Sequence, residues 1–433
     1  MVRGNLLMLA ALFSQRHLTR NILVAMALGI ALGVGLNLLG VDAESPGFLV
    51  GQVFPTIGGI FVRLLQMMVV PLVLFSLMTG TAALDDVRKL GRIGIKTLAF
   101  YLGTTALAIT IAIGLAVLVQ PGAGFTLNYD HDFAVSESPP LAQVIMDIFP
   151  TNPIQAMAEG KMLQVIVFAI LFGIAMCLAG EPGKRVLAIA NDLNEIVMKL
   201  VMILMLAAPF GVFALVAKTF ALEGLSAIVA LGKYFGLVVV ALAVHAFVSY
   251  GGILKLFTGL GVINFFKMMR RVQLFAFSTA SSNATLPVSL ENAEHNLGVK
   301  PSIASFTIPL GATVNMDGTA IMQGVATVFI SQALGIDIGI QGYLMVILTA
   351  TLASIGTAGV PGVGLIMLAM VFQQVGLPIA AITVIYGVDR LLDMARTAVN
   401  VTGDAVVSVI VAKSEGEFDQ AVYDADEPEW QKD

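Results

Sequence analysis

Residues 274–290 read LFAFSTASSNATLPVSL, and residues 347–368 read ILTATLASIGTAGVPGVGLIML. Both stretches are apolar at their ends, small and hydroxyl-rich in the middle, and broken by a proline. Such a centre cannot run on as helix through lipid, where every backbone N–H and C=O needs an internal partner. Irregular backbone at that depth is tolerated only where it is buried in protein or lines a cavity. Interrupted segments in corresponding positions of two repeats point to a binding site between them. Setting Pro287 against Pro361 also matches Ala284 with Ala358 and Leu286 with Val360. Each stretch leads into a long apolar segment with polar insertions. The first, 302–330, holds NMDGT at 315–319, and the second, 379–411, holds DRLLDMARTAVNVTGD at 389–404. The second half of the chain thus reads as two copies of a hairpin plus a helix. Small residues are common in membrane helices generally, so composition alone leaves the repeat open.

The rest of the chain supports a lipid setting. Of 433 residues, 58% are hydrophobic and 12% charged, against about 25% charged in a soluble domain. Earlier spanning candidates are 21–41, 52–83, 93–119, 141–178, 187–218 and 228–256. A crossing needs about 20 apolar residues, so the longer ones imply tilted or broken helices. Arg16 and Arg20, then Arg88, Lys89, Arg92 and Lys96, then Lys267, Arg270 and Arg271 flank the spans. An even number of crossings between these clusters places them all in the cytoplasm. Lys184 and Arg185 fall on the same side, and the loop at 121–140, with no Lys or Arg, falls outside. Residues 1–20 have signal-peptide length but no clear small-x-small cleavage site, and read as a retained cytoplasmic leader, with a cleaved signal as the alternative. The tail after Lys413 is acidic and polar and reads as disordered.

Several classes are excluded. No basic stripe interleaved with aromatics suggests nucleic acid. Cys177 is the single cysteine, in an apolar run, which rules out an internal disulfide and reads as inert packing. His17, His131, His245 and His295 are scattered, without zinc or iron spacing. No Ser/His/Asp, HExxH or paired-aspartate motif marks an enzyme.

Ionisable residues inside spans are functional candidates by default. Asp389, Asp393, Arg396, Asn400 and Asp404 follow steps of four, three, four and four, which puts them on one stripe of a helix. Thr397 lies beside it, and Arg390 adjoins Asp389 and reads as its neutraliser. Three carboxylates with one arginine on the stripe leave negative charge that sodium or protons would balance. The broken hairpins add half-helix N–H groups for a carboxylate and free carbonyls for a cation. NMDGT offers a further break, with Asn315 and Asp317 as oxygen ligands.

At these residues, in TASSNATLP, PLGATVNMDGTA, ASIGTAGVPGVG and DMARTAVNVTGD, the chain resembles the dicarboxylate/amino acid:cation symporter family of glutamate transporters, from about residue 21 to 413. The resemblance implies an all-α polytopic membrane protein with eight transmembrane helices, two re-entrant helical hairpins (258–297 and 336–375) and inverted repeats. It implies a homotrimer working as an elevator-type transporter in the plasma or inner membrane, with both termini cytoplasmic. The divisions are a leader 1–20, scaffold spans 21–92, transport-domain span 93–120, an extracellular loop and scaffold spans 121–224, a transport core 225–413 and an acidic tail 414–433. Asp393 would take the substrate amino group, Arg396 its side-chain carboxylate, and Asn400 and Ser282 the α-carboxylate. Thr319, Thr397, Val360 and Gly364 would complete the pocket. One sodium site would use Asp404 with backbone oxygens of Gly311, Asn315 and Asn400. A second would use Tyr101, Thr104, Thr105, Asn315 and Asp317, and a third the carbonyls of Ser354, Ile355 and Thr357 with Thr313 and Met316. The implied activity is sodium-coupled symport of aspartate or glutamate. Proton coupling, a neutral amino acid or dicarboxylate substrate, and an ion channel are the alternatives. Many members carry a second arginine near the pocket, where this chain has Ala280 and Met394.

Overall fold

The computed structural model describes residues 18–41, 45–82, 87–127, 146, 149–223, 225–355, 357, 359 and 361–424. Among them there is no strand, only an isolated antiparallel bridge from Val299 to Phe418. Residues 1–17, the loop residues 128–140, Val360 and the tail beyond Asp424 lie outside the described residues. The first helices are α1 (Leu18–Leu38), α2 (Phe54–Ala82) and α3 (Val87–Val119). Runs of Leu, Val, Ile, Ala and Gly make them, because a helix satisfies its own backbone in lipid.

The long candidates at 141–178 and 187–218 are each broken. The first gives α4 (Pro153–Glu159) and α5 (Met162–Leu178), separated at Gly160, whose φ of 67° ends α4 in the left-handed region. Asn152 starts α4 by accepting from the Ile154 and Gln155 amides. The second gives α6 (Glu181–Met205) and α7 (Ala208–Glu223). Then α8 (Leu225–Val244) runs through a π turn at His245–Tyr250 into α9 (Gly251–Thr258).

The second half follows as helix pairs and broken helices. α10 (Val262–Thr279) stops at Ala280, which takes φ 51°, and α11 (Ser282–His295) restarts under the Ser281 hydroxyl, which accepts from the Ala284 amide. α12 (Pro301–Val314) and α13 (Asp317–Leu334) are separated by Asn315 and Met316, the break expected at NMDGT. α14 (Gly339–Ser354) pairs with α15 (Val363–Gln374), and the longest helix, α16 (Ile382–Glu415), follows. The prolines matched in sequence are not equivalent in the fold. Pro287 lies within α11, whereas Pro361 precedes α15, because the glycine-bearing second tip leaves helix at Ser354 and re-enters only at Val363.

Four described stretches are long and apolar enough to cross a membrane: Arg20–Leu38, Arg92–Val119, Val229–Thr258 and Ile379–Glu415. Their burial differs. Within the protein, 78% of the last is covered against 22% of the first, so α16 is the centre of the fold and α1 its rim. α16 packs on α3, α7, α8, α9, α10, α11, α12, α13 and α15.

The tail is not free along its described part. At the end of α16, Glu415 bridges Arg92 and Lys96 at the start of α3. The Lys300 amide donates to Glu417 O at 3.1 Å and the Asp419 amide to Gly298 O at 2.7 Å. A short turn of helix, α17 (Gln420–Tyr423), buries Tyr423, whose hydroxyl donates to Gly261 O at 2.9 Å. The expectation of disorder fails here because Phe418 and Tyr423 are aromatic anchors in an otherwise polar sequence.

Candidate substrate and ion site

Helical periodicity delivers Asp389, Asp393, Arg396, Asn400 and Asp404 to one buried face of α16. Arg396 is the largest fully buried side chain and spans two carboxylates: Nη1 donates to Asp389 Oδ1 at 2.7 Å and Nη2 to Asp393 Oδ1 at 2.8 Å. The neutraliser of Asp389 is therefore Arg396, and Arg390 Nη1 reaches Asp393 Oδ2 at 3.3 Å. An i,i+3 pair shares a helix face, which side-by-side neighbours do not. The charge count expected from the sequence is corrected accordingly. Two aspartates and two arginines make the first half of the ladder neutral.

The turn between α14 and α15 closes on this cluster. Gly362, at φ 84°, donates its amide to Asp393 Oδ2 at 3.1 Å. A Cβ on Gly364 would stand 3.2 Å from Arg396 Nη2 and 3.3 Å from Thr319 Cγ2, so this glycine lets α15 lie against the guanidinium. The first tip meets the second at Gly359, whose carbonyl accepts from Ser281 Oγ at 2.7 Å and from the Asn283 amide at 3.1 Å. Ser282 is buried at this junction. Thr397 Oγ1 donates to the Asp393 carbonyl at 2.8 Å. Asn400 is committed to the break in the neighbouring helix, accepting from the Gly318 amide at 2.7 Å and donating to Met316 Sδ at 3.3 Å.

The other half of the ladder has a different balance. Asp404 Oδ1 accepts from Asn315 Nδ2 at 2.9 Å, and the same amide donates to Asn400 O at 3.1 Å. These two acceptors fix which end of the Asn315 amide is nitrogen. Its oxygen, Oδ1, is then a buried acceptor without a donor among the described residues. A Cβ on Gly311 would stand 2.4 Å from Asp404 Oδ1 and 2.6 Å from the Tyr101 hydroxyl, so only glycine fits there.

Asp317, wholly buried at the start of α13, gathers donors from two other helices. Thr105 Oγ1 on α3 donates to Oδ1 at 2.5 Å, Tyr250 OH donates to Oδ2 at 2.8 Å, and His245 Nε2 stands 3.0 Å from Oδ2. His245 and Tyr250 are the two ends of the π turn. With i→i+5 bonding, such a turn widens the helix and brings residues five apart toward one face. Among the described residues, no lysine or arginine forms an ion pair with Asp317 or Asp404.

The residues predicted from sequence divide by this geometry. Asp393, Arg396, Gly364, Thr319 and Thr397 come together, and Asn315, Asp404, Gly311 and Asn400 come together. Tyr101, Thr105 and Asp317 adjoin them. Thr104 Oγ1 turns to the Tyr101 carbonyl at 3.1 Å. In the third set the Ser354, Thr357 and Thr313 hydroxyls donate to Thr351, Ala353 and Leu310 carbonyls of their own segments, and Met316 faces Asn400. Val360 lies outside the described residues. Sequence reasoning missed Gly362, a backbone donor, for which the Pro-Gly pair in VPGVG was the available signal. It also missed His245, Tyr250 and the direction of Arg390.

The sequence that builds this buried ladder has relatives among known proteins. Residues 18–414 match the Sodium:dicarboxylate symporter family. The chain belongs to that family. Three similar members span it almost end to end. A "Proton/glutamate-aspartate symporter" of Escherichia coli is 37% identical over 92% of this chain and 93% of its own. A "Proton/sodium-glutamate symport protein" of Bacillus subtilis is 36% identical over 84% and 87%. A "C4-dicarboxylate transport protein" of Rhodospirillum rubrum is 34% identical over 86% and 87%. As a member of the Sodium:dicarboxylate symporter family with helices of spanning length, the chain is a helical membrane transporter.

Proposed function

We propose that this transporter carries aspartate or glutamate inward with sodium. The observation that carries the reading is the split of one ladder into two halves of different charge. Asp389, Arg390, Asp393 and Arg396 form a neutral cluster under the second hairpin tip. Asp317 and Asp404 are two buried carboxyl groups that, among the described residues, have no paired arginine or lysine; Asp317 meets His245, and both lie beside the Asn315 oxygen that has no donor there. Oxygen donors with excess negative charge suit a hard monovalent cation. Loading it lowers the cost of two buried carboxylates, which ties the cation to the protein's ligand-binding form. Substrate then exchanges into the neutral cluster: Arg396 leaves Asp393 for the substrate side-chain carboxylate, and Asp393 accepts the amino group.

The family resemblance supports the finer picture of eight spans, two re-entrant hairpins and a trimer. In it the body built from α3 and α8 to α16 (residues 93–120 and 225–413) moves as an elevator against α1, α2 and the helices of 121–224, in the cell membrane with cytoplasmic termini. In the test, purified protein in liposomes is given radiolabelled aspartate and glutamate with and without an inward sodium gradient. Uptake that needs the gradient is expected, and equal uptake in both conditions removes sodium coupling. Proton coupling is the second reading, favoured by the name of the Escherichia coli relative. Uptake driven by an acid exterior without sodium decides for it.

A further inference from the structure

Asp393 is surrounded by more positive charge than an amine acceptor needs. Oδ1 holds Arg396 Nη2 at 2.8 Å, while Oδ2 holds the Gly362 amide at 3.1 Å and Arg390 Nη1 at 3.3 Å. Arg390 is 8% exposed and Asp393 7%, so water screens this pair little. An acidic amino acid brings two carboxylates and one ammonium. A four-carbon dicarboxylate brings the two carboxylates alone. The two ligand classes differ in the group destined for Asp393, and Arg390 stands at the oxygen that group would approach. A guanidinium there repels an arriving ammonium and attracts carboxylates.

We propose that Arg390 is a specificity-determining residue that sets the balance between amino-bearing and amino-free acidic substrates by holding Oδ2 of Asp393. The inference rests on the acidic-substrate reading above. It gives the site the second arginine absent at Ala280 and Met394. The charge reaches the cluster from the position after Asp389. Arg396 grips the ligand carboxylate in both cases. Arg390 decides how much an amine gains.

Calorimetric titration of the full, detergent-purified chain with aspartate and with succinate, in sodium, tests this. Wild type is expected to bind both. Arg390→Gln is expected to raise the preference for aspartate over succinate at least tenfold, and Arg390→Lys, which keeps the charge, to stay within threefold of wild type. If Arg390→Gln does not fold, Arg390→Met, which keeps the stem packing, carries the same expectation. Equal shifts for both ligands, lysine behaving like glutamine, or aspartate bound by wild type with no succinate bound, each overturns the role of Arg390 and leaves the transport reading standing. Wild type binding neither ligand overturns both.

Discussion

Asn315 gives its amide nitrogen to Asp404 at 2.9 Å and leaves its amide oxygen buried, with no donor among the described residues. A buried acceptor beside a buried carboxylate is costly unless something positive visits it. Asp404→Asn keeps the shape and removes the charge. The half-saturating sodium concentration for aspartate uptake should rise at least about tenfold, since one lost charge contact at this depth exceeds about 1.4 kcal/mol. Helical content by circular dichroism should be unchanged. An unaltered sodium dependence would remove Asp404 from the ion site.

Arg396 should show a separation of stability from binding. Arg396→Ala strands Asp389 in the interior and leaves Asp393 only Arg390 and the Gly362 amide, and breaking a buried pair in this way costs about 3–5 kcal/mol. The thermal midpoint should fall and acidic-substrate binding should vanish. Adding Asp389→Asn removes one stranded charge, so the midpoint should partly recover while binding does not. Recovery of both together would mean that Arg396 serves the fold alone.

Gly311 is held to its identity by space. An added methyl would stand 2.4 Å from Asp404 Oδ1 and 2.6 Å from the Tyr101 hydroxyl. Gly311→Ala should abolish sodium-dependent uptake. Gly114→Ala on α3 is the matched control, because among the described residues no atom beyond its own helix backbone lies within 4 Å of its added Cβ. There the substitution should leave transport intact and stabilise the helix by up to about 1 kcal/mol.

Glu415 is nearly covered while its partners are open: its side chain is 5% exposed against 77% for Arg92 and 36% for Lys96. Exposed partners make the network salt-sensitive and worth no more than about 1 kcal/mol. Glu415→Gln should lower the thermal midpoint at low salt, with the difference shrinking as salt is raised. A salt-independent loss would point to packing rather than charge.

The ladder on α16 was legible because helical spacing is a property of sequence, and polar residues at steps of three and four on an apolar background have one way to lie. The breaks at Ala280, Asn315 and Gly362 were legible for a similar reason, since small and proline-bearing runs interrupt helix. What lay beyond the sequence was direction. Arg390 neighbours Asp389 in the chain yet reaches Asp393, a choice made by side-chain rotamer and the tip above it. His245 and Tyr250 reach Asp317 through a π turn, which apolar periodicity does not announce. Gly362 acts through its backbone, where no side-chain type betrays the role. The tail misled because acidic composition outweighed two aromatic residues that turn out to be anchors.

That folded-back terminus makes the molecule unusually easy to instrument. Residues 415–424 are fastened to the start of α3 and to the α11–α12 corner, helices that also hold Tyr101, Thr105, Ser282 and Gly311 of the candidate site. In the elevator proposed above, a fluorescent label placed just past Tyr423 rides with the body that binds substrate. Paired with a second dye on α1, it tests that proposal in single molecules: two or more dye separations are expected, and one fixed separation contradicts it.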